Sequence, residues 1–217
     1  MSAGSVEAVT SLADFLSLHR MQFDRLQGIT PVVDAYLRAD PTLEKRIQSE
    51  EKLGLYGLEK LIPPPPSTGV LQQASLKDIE LSLAWDKAFH DDCKMPRQSE
   101  EERRRILETS IGKNKVYFWV VDGEKVASAM LGRELPGGRS IGFVYTPEKL
   151  RGRGYGKQVA AHTTKVALDN GASYTCLFAQ LENQTSNKIY RDIGYVWLEN
   201  LRCLHFRSPQ AADRSED

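Results

Sequence analysis

Seven residues, Arg151-Gly152-Arg153-Gly154-Tyr155-Gly156-Lys157, interleave three glycines with three cations. Glycine lets a backbone N–H approach a ligand without interference from a Cβ. A helix opening directly behind such glycines aims its unpaired first-turn N–H groups and its positive dipole end at the same place. Arg151, Arg153 and Lys157 add mobile positive charge. The chemistry served by this combination is the cradling of a phosphate or diphosphate. Two familiar phosphate templates fail here. A Walker-type loop needs a glycine separated by four residues from its Gly-Lys pair and Ser or Thr after the pair, but Arg151 and Gln158 hold those places. A dinucleotide fingerprint needs a third glycine where Lys157 stands.

The flanking pattern supplies the elements that would position the loop. Ile141, Phe143 and Tyr145 alternate with Gly142, Val144 and Thr146, the period of a strand over 141–146. Pro147 ends that run. Behind the glycines, Val159, Ala160, Val166 and Ala167 fall at helical spacing, and Asn170-Gly171 is a C-terminal stop. A glycine- and arginine-rich turn by itself is equally a plain surface loop. In its strand–turn–helix setting, however, Arg151-Gly152-Arg153-Gly154-Tyr155-Gly156 fits the pattern [RQ]-x-x-G-x-[GA]. It resembles the pyrophosphate loop of the GNAT superfamily of acetyl-CoA-dependent N-acetyltransferases. The preceding Val144-Tyr145-Thr146-Pro147-Glu148 is similar to that family's strand before the loop. A second stretch, Asn183-x-x-Ser186-Asn187-x-x-Tyr190-x-x-x-Gly194-Tyr195, resembles the other half of the family's cofactor site.

The resemblance implies a set of roles. Val144, Tyr145 and Thr146 would present backbone groups to the pantetheine arm of acetyl-CoA, the acyl-donor cosubstrate, while residues 151–157 hold its diphosphate. Asn183 and Asn187 would hydrogen-bond the pantetheine, and Tyr190 would lie near the leaving thiolate. The plainer alternative is that the asparagines cap a short helix and Tyr190 packs. The resemblance covers about residues 67–206 and implies an α+β fold, with a mixed, mostly antiparallel central sheet flanked by helices.

Composition sets limits on everything else. The chain has 217 residues, enough for one ordinary domain and an extension. Lys+Arg and Asp+Glu both number 29, so global charge argues for neither nucleic acid nor an anionic membrane as a partner. No apolar run approaches the roughly 18 residues of a membrane span. The N-terminus shows no basic region followed by an apolar core, so no secretory signal is expected. Three cysteines, Cys93, Cys176 and Cys203, are scattered without metal-ligand spacing. They imply a reducing, cytoplasmic location and no metal site.

Read in order, the chain has three expected regions. Residues 1–66 form a mainly helical extension ending in the stiff connector Pro63-Pro64-Pro65-Pro66. A helix is predicted over 7–26, a short one over Val32–Ala39, and a charged, helix-permissive stretch over Thr42–Lys52. Leu53–Ile62 reads as a strand or a last helical turn. The extension is either a packed helical addition or a substrate lid or decayed second acyltransferase half. Residues 67–206 form the acetyltransferase domain, and 207–217 a flexible tail.

Within the domain, a strand at Gly69–Ala74 leads to a helix capped by Ser75 and Asp78. Ser99-Glu100-Glu101-Glu102 opens another helix, and Arg103-Arg104-Arg105 reads as a solvated face. Strands at Val116–Val121 and Lys125–Gly132 meet at Asp122-Gly123, a hairpin-turn signal. Ser173–Ala179 should run parallel to 141–146 through a right-handed crossover. Tyr195–Trp197 and Leu201–Phe206 read as a closing hairpin.

The implied reaction is direct attack of a neutral amine, on a small molecule or a peptide, on the thioester in a ternary complex. Splay between the two parallel strands would free backbone groups of Val144 and Thr146. Tyr190, with an ordinary phenol pKa of about 10, would protonate the departing sulfur. The base is open among His90, Asp91, Asp92, Glu134 and a water chain. Gln180 stands where the family often has an acid, which counts against a base there. The other function class is a non-catalytic acyl-CoA-binding regulatory module. Either a monomer or a homodimer is compatible with the sequence.

Overall fold

The computed structural model describes residues 6–19, 21–96 and 98–207. Its elements, in chain order, are α1 (Val6–Leu18), β1 (Arg25–Ile29), α2 (Thr30–Ala39), β2 (Ile47–Leu58), β3 (Val70–Gln73), α3 (Ile79–Asp92), α4 (Glu100–Gly112), β4 (Val116–Val121), β5 (Glu124–Leu135), β6 (Gly138–Tyr145), α5 (Tyr155–Asp169), β7 (Tyr174–Gln180), α6 (Gln184–Asp192) and β8 (Val196–Phe206). The chain divides into two compact units. One comprises 1–55, 179–183 and 198–217; the other comprises 56–178 and 184–197. Of the expected tail at 207–217, only Arg207 is among the described residues.

The first unit is less helical than predicted. Helix α1 buries Val9 and Ala13 but stops at Leu18, not at residue 26. Leu26 and Gly28 alternate with Arg25, Gln27 and Ile29, and this short run pairs antiparallel with β8, Leu26 opposite Leu204. Partner strands decide such a segment more strongly than helix propensity does. Thr42–Lys52 is likewise not a helix. A 3₁₀ turn at Pro41–Arg46 leads straight into β2. The glutamates that look helix-friendly in sequence find partners on β8. Arg202 binds Glu50 at 2.9 Å and also pairs with Asp34, while His205 meets Glu51 at 2.7 Å. Val33, Tyr36, Leu204 and Phe206 centre the core on the α1–α2 side.

The second unit holds a sheet in the order β7-β6-β5-β4-β3, antiparallel except for the β6–β7 pair. This is the expected α+β arrangement. β4 is buried along its whole length because helices cover both of its faces. Phe118 and Val120 pack with Trp85 of α3 and Ile111 of α4, whereas Trp119 and Val121 pack with Val159 of α5. The Asp122-Gly123 hairpin forms, with φ of 50° and 83°, the left-handed pair that a tight hairpin needs. Both expected capping boxes, Ser75–Asp78 and Ser99–Glu102, are present.

Three details differ from expectation. Arg103 is not part of a solvated face: it forks onto Asp86, which is 3% exposed. The proline run is docked, since Gln158 Nε2 of α5 donates to the Pro65 carbonyl at 2.9 Å. Trp119 Nε1 donates to the Thr68 carbonyl at 3.1 Å, extending the same strap. The C-terminal hairpin is instead one continuous strand, Val196–Phe206. Glu199-Asn200 carries no glycine to take up a left-handed turn, so the strand runs on. Among the described residues, no helix is long and apolar enough to cross a membrane.

Candidate functional site

The site grows from the end of β6. β6 pairs with β7 only at Gly138–Tyr174, Arg139–Thr175 and Ser140–Cys176. Among the described residues no further pair joins β7 to residues 141–145, so the two parallel strands part where splay was expected. On its other side β6 shifts register against β5. Met130 faces Gly142 and Ser128 faces Tyr145, so Phe143 and Val144 together lie opposite Ala129. That is a β-bulge, and Phe143 takes φ of 52°, unusual for an aromatic residue. The Phe143 ring packs edge-on against Phe89 of α3 at 5.3 Å. Tyr145 is buried against Trp85 at 5.8 Å, and burial, followed by nearby Asp92, pushes its phenol up. Its side chain therefore serves the core, and only its backbone is available to a ligand. Val144 and Thr146 are half-buried.

Beyond Pro147 a 3₁₀ turn at Glu148–Leu150 delivers the chain into the glycine loop. Gly152 and Gly154 have φ of 77° and 82°, and α5 opens directly after Gly154 with no side-chain cap. A Cβ at either position would meet nothing within 4 Å, so the backbone there is bare on its outer side. At Gly156 a Cβ would press Thr146 Oγ1 at 3.2 Å. Conformation fixes glycine at 152 and 154, and close approach favours it at 156. These features fit a diphosphate: bare, left-handed backbone at the mouth of a 15-residue helix, with cations beside it. Tyr155 turns its ring into the core with Val159 and contributes only its amide at the helix mouth.

The cations are not idle. Arg151 Nε donates to the Thr146 carbonyl at 3.0 Å, and its guanidinium pairs with Asp92 at the end of α3. Lys157 Nζ reaches Asp192 at 2.6 Å, with Lys188 joining at 3.1 Å. Hydrogen bonds from Lys157 and then Lys188 hold the Asp192 carboxyl below its ordinary range. Arg153 is exposed. Nothing in the local sequence announced Asp92 or Asp192, because each is brought to the loop by a different helix.

Of the second motif, Asn187 and Tyr190 lie in this unit, on α6. Asn187 is 6% exposed and its carbonyl accepts from Arg191 Nε. Tyr190 is 7% exposed, between Tyr56 at 6.4 Å and Tyr195 at 6.0 Å. Burial above all, then Tyr195 and Cys93, pushes its phenol well above the ordinary value. Tyr195 is braced by Thr164 and Thr175, each 2.9 Å from its hydroxyl, and burial pushes it up to about 12. Asn183 belongs to the first unit, where it is exposed and its N–H donates to the Gln180 carbonyl.

The family model described as Acetyltransferase (GNAT) family matches residues 82–195, more than half of the chain and both motifs. The chain belongs to that family. No curated protein sequence matches it. Solved structures show the same fold at low identity. An acetyltransferase of the GNAT family from Colwellia psychrerythraea is 15% identical with a TM-score of 0.63, over 94% of this chain and 72% of that one. A GCN5-related N-acetyltransferase from Kribbella flavida is 18% identical with a TM-score of 0.61, over 98% and 80%. Another from Sphaerobacter thermophilus is 18% identical with a TM-score of 0.62, over 85% and 60%. Membership in the GNAT family makes the chain an acyltransferase, and β6, the bulge and the glycine loop are where its chemistry is to be sought.

Proposed function

We propose that the protein moves an acetyl group from acetyl-CoA to an amine, on a small molecule or a peptide, by direct attack in a ternary complex. The observation that carries this reading is the parting of β6 from β7 beyond Ser140, followed at once by bare glycine backbone at the mouth of α5. Acetyl-CoA supplies an activated thioester carbonyl and a thiolate leaving group. The amides between Arg151 and Gly156 hold its diphosphate, helped by Arg151, Arg153 and Lys157. Backbone groups of Val144, Tyr145 and Thr146 receive the pantetheine, and Asn187 hydrogen-bonds it. The Thr146 carbonyl already accepts from Arg151, which leaves it one lone pair for this purpose.

Tyr190 is the catalytic residue of this reading. Its raised pKa keeps the proton on the phenol, so it acts as a donor and not as a base. A thiol's ordinary pKa is about 8.5, so full transfer to sulfur would run uphill. A hydrogen bond that strengthens as sulfur gains charge fits the chemistry better. Among the base candidates, Asp92 and Glu134 are ion-paired, with Arg151 and Arg139 respectively. His90 is anchored through Nδ1 to the Asp86 carbonyl at 2.8 Å. The loops near 90–98 and 133–139 would choose the acceptor. Buried Cys176 and Cys203, with no disulfide, suit a reducing cytoplasmic setting, and the reading requires neither nucleic acid nor membrane. A monomer or a homodimer would serve.

Release of coenzyme A thiol from acetyl-CoA, measured across a panel of amines with wild type and Tyr190→Phe, tests the reading. Turnover on at least one amine, much reduced in the variant, is expected. Heat of acetyl-CoA binding without turnover on any amine would point to a regulatory acyl-CoA-binding module. Absence of both would overturn the assignment.

A further inference from the structure

Away from the glycine loop, wholly inside the first unit, three ligand-type side chains converge. Cys203 and His205 are two apart on β8 and therefore share one face. Glu51 comes from β2, next to β8 in the sheet order. Their ligand atoms all lie within 4.8 Å of one another. His205 Nε2 is 2.7 Å from Glu51 Oε1 and 3.6 Å from Cys203 Sγ. The sulfur is fully buried, beside Leu53 and Leu201, while the His205 and Glu51 side chains keep 12% and 9% of their surface.

Proton-mediated hydrogen bonds serve this triangle poorly. A neutral imidazole nitrogen either donates or accepts. If Nε2 donates to Glu51, it cannot also accept from the Cys203 thiol; if it accepts from the thiol, the Glu51 edge has no proton. One cation at the centre would use the lone pairs of sulfur, nitrogen and oxygen together. Tetrahedral zinc, with bonds of about 2.3 Å to sulfur and about 2.0 Å to nitrogen, sets those two atoms about 3.5 Å apart. The observed 3.6 Å already matches. The nitrogen–oxygen edge would have to widen from 2.7 Å to about 3.3 Å. Thiolate and imidazole select zinc over magnesium or calcium.

We propose that Cys203 Sγ, His205 Nε2 and Glu51 Oε1 form a binding site for zinc(II), with water as the fourth ligand. Loading releases the thiol proton to solvent as the zinc–sulfur bond forms. Arg25 Nε now donates to Cys203 Sγ at 3.1 Å, and its positive charge opposes the ion. Gln27 Oε1, 2.5 Å from the other end of the guanidinium, gives Arg25 a second anchor when the sulfur is taken. The site ties β2 to β8, neighbouring strands that the Arg202–Glu50 ion pair also joins.

The experiment uses the full chain, stripped with a chelator and titrated with zinc(II) by calorimetry and with cobalt(II) by absorption. One ion per chain and a thiolate-to-cobalt charge-transfer band are expected, with the band lost in Cys203→Ser and kept in Cys93→Ser and Cys176→Ser. Glu51→Gln, which preserves side-chain shape, should weaken zinc at least tenfold, and it serves if Cys203→Ser does not fold. Zinc should also raise the thermal midpoint of wild type more than that of Glu51→Gln. Wild type that takes up neither ion would overturn the proposal. So would a charge-transfer band that survives in Cys203→Ser, or zinc affinity unchanged in Glu51→Gln.

Discussion

Two aspartates of helix α3, Asp86 and Asp92, are each paired with an arginine, and the two pairs live in different worlds. Asp86 sits at 5% side-chain exposure and receives both Nε and a terminal nitrogen of Arg103 on α4. Asp92, one and a half turns on, keeps 45% of its side-chain surface and meets Arg151 of the glycine loop, itself 47% exposed. A buried fork of this kind orients two helices, because losing one partner strands a charge in a low dielectric. An exposed pair holds its partners weakly and exchanges them readily. The same residue types at different depths thus give a fixed joint in the middle of the helix and a replaceable counter-charge at its C-terminal end. In the proposed cofactor complex, the diphosphate would take over Arg151 from Asp92.

The largest expected effect breaks the buried side of this comparison. Arg103→Ala should cost about 3–5 kcal/mol of stability, read from denaturant unfolding, because the buried Asp86 keeps only His90 Nδ1, 3.5 Å away, in place of the guanidinium fork. A loss below 1 kcal/mol would mean that His90 or water replaces the fork. Next, Tyr190→Phe should lower kcat roughly a hundredfold, within the usual range for a proton donor, with little change in acetyl-CoA affinity. An equal loss in binding would make Tyr190 a packing residue. Gly154→Val places a β-branched side chain at φ of 82°. It should weaken acetyl-CoA roughly ten- to a hundredfold by calorimetry, from about 1–3 kcal/mol of backbone strain. The smallest effect sharpens the exposed side. Asp92→Asn frees Arg151 and should tighten acetyl-CoA by a few-fold at low salt, with the gain fading as salt screens the charges. Unchanged affinity at every salt concentration would show that Arg151 does not reach the phosphates.

What could be read from the sequence follows the same division. The glycine loop was legible because its chemistry lies in contiguous backbone, and backbone geometry is written in glycine and proline. The hairpin at Asp122-Gly123 and the boxes at Ser75 and Ser99 were legible for the same local reason. The strand at 25–29 and the first half of the one at 47–58 were not, while 53–62 was read as either a strand or a last helical turn. Leu26 and the charged run before Leu53 become strand through partners on β8, far along the chain. Arg103 was misread because Asp86 lies 17 residues away on another helix. The Glu51–Cys203–His205 triangle escaped because only sheet order brings 51 to 205, and Cys-x-His matches no ligand-spacing template.

The strap before β3 bears on any attempt to cut the protein down. A fragment starting at Ser67, the natural place to trim by sequence, would discard the Pro65 carbonyl that satisfies Gln158, a residue only 6% exposed. It would also discard Ile62, whose amide donates to the Ile193 carbonyl at the end of α6. A piece that keeps the surroundings of Tyr190 therefore starts no later than Tyr56, whose ring is one of the two walls around that phenol.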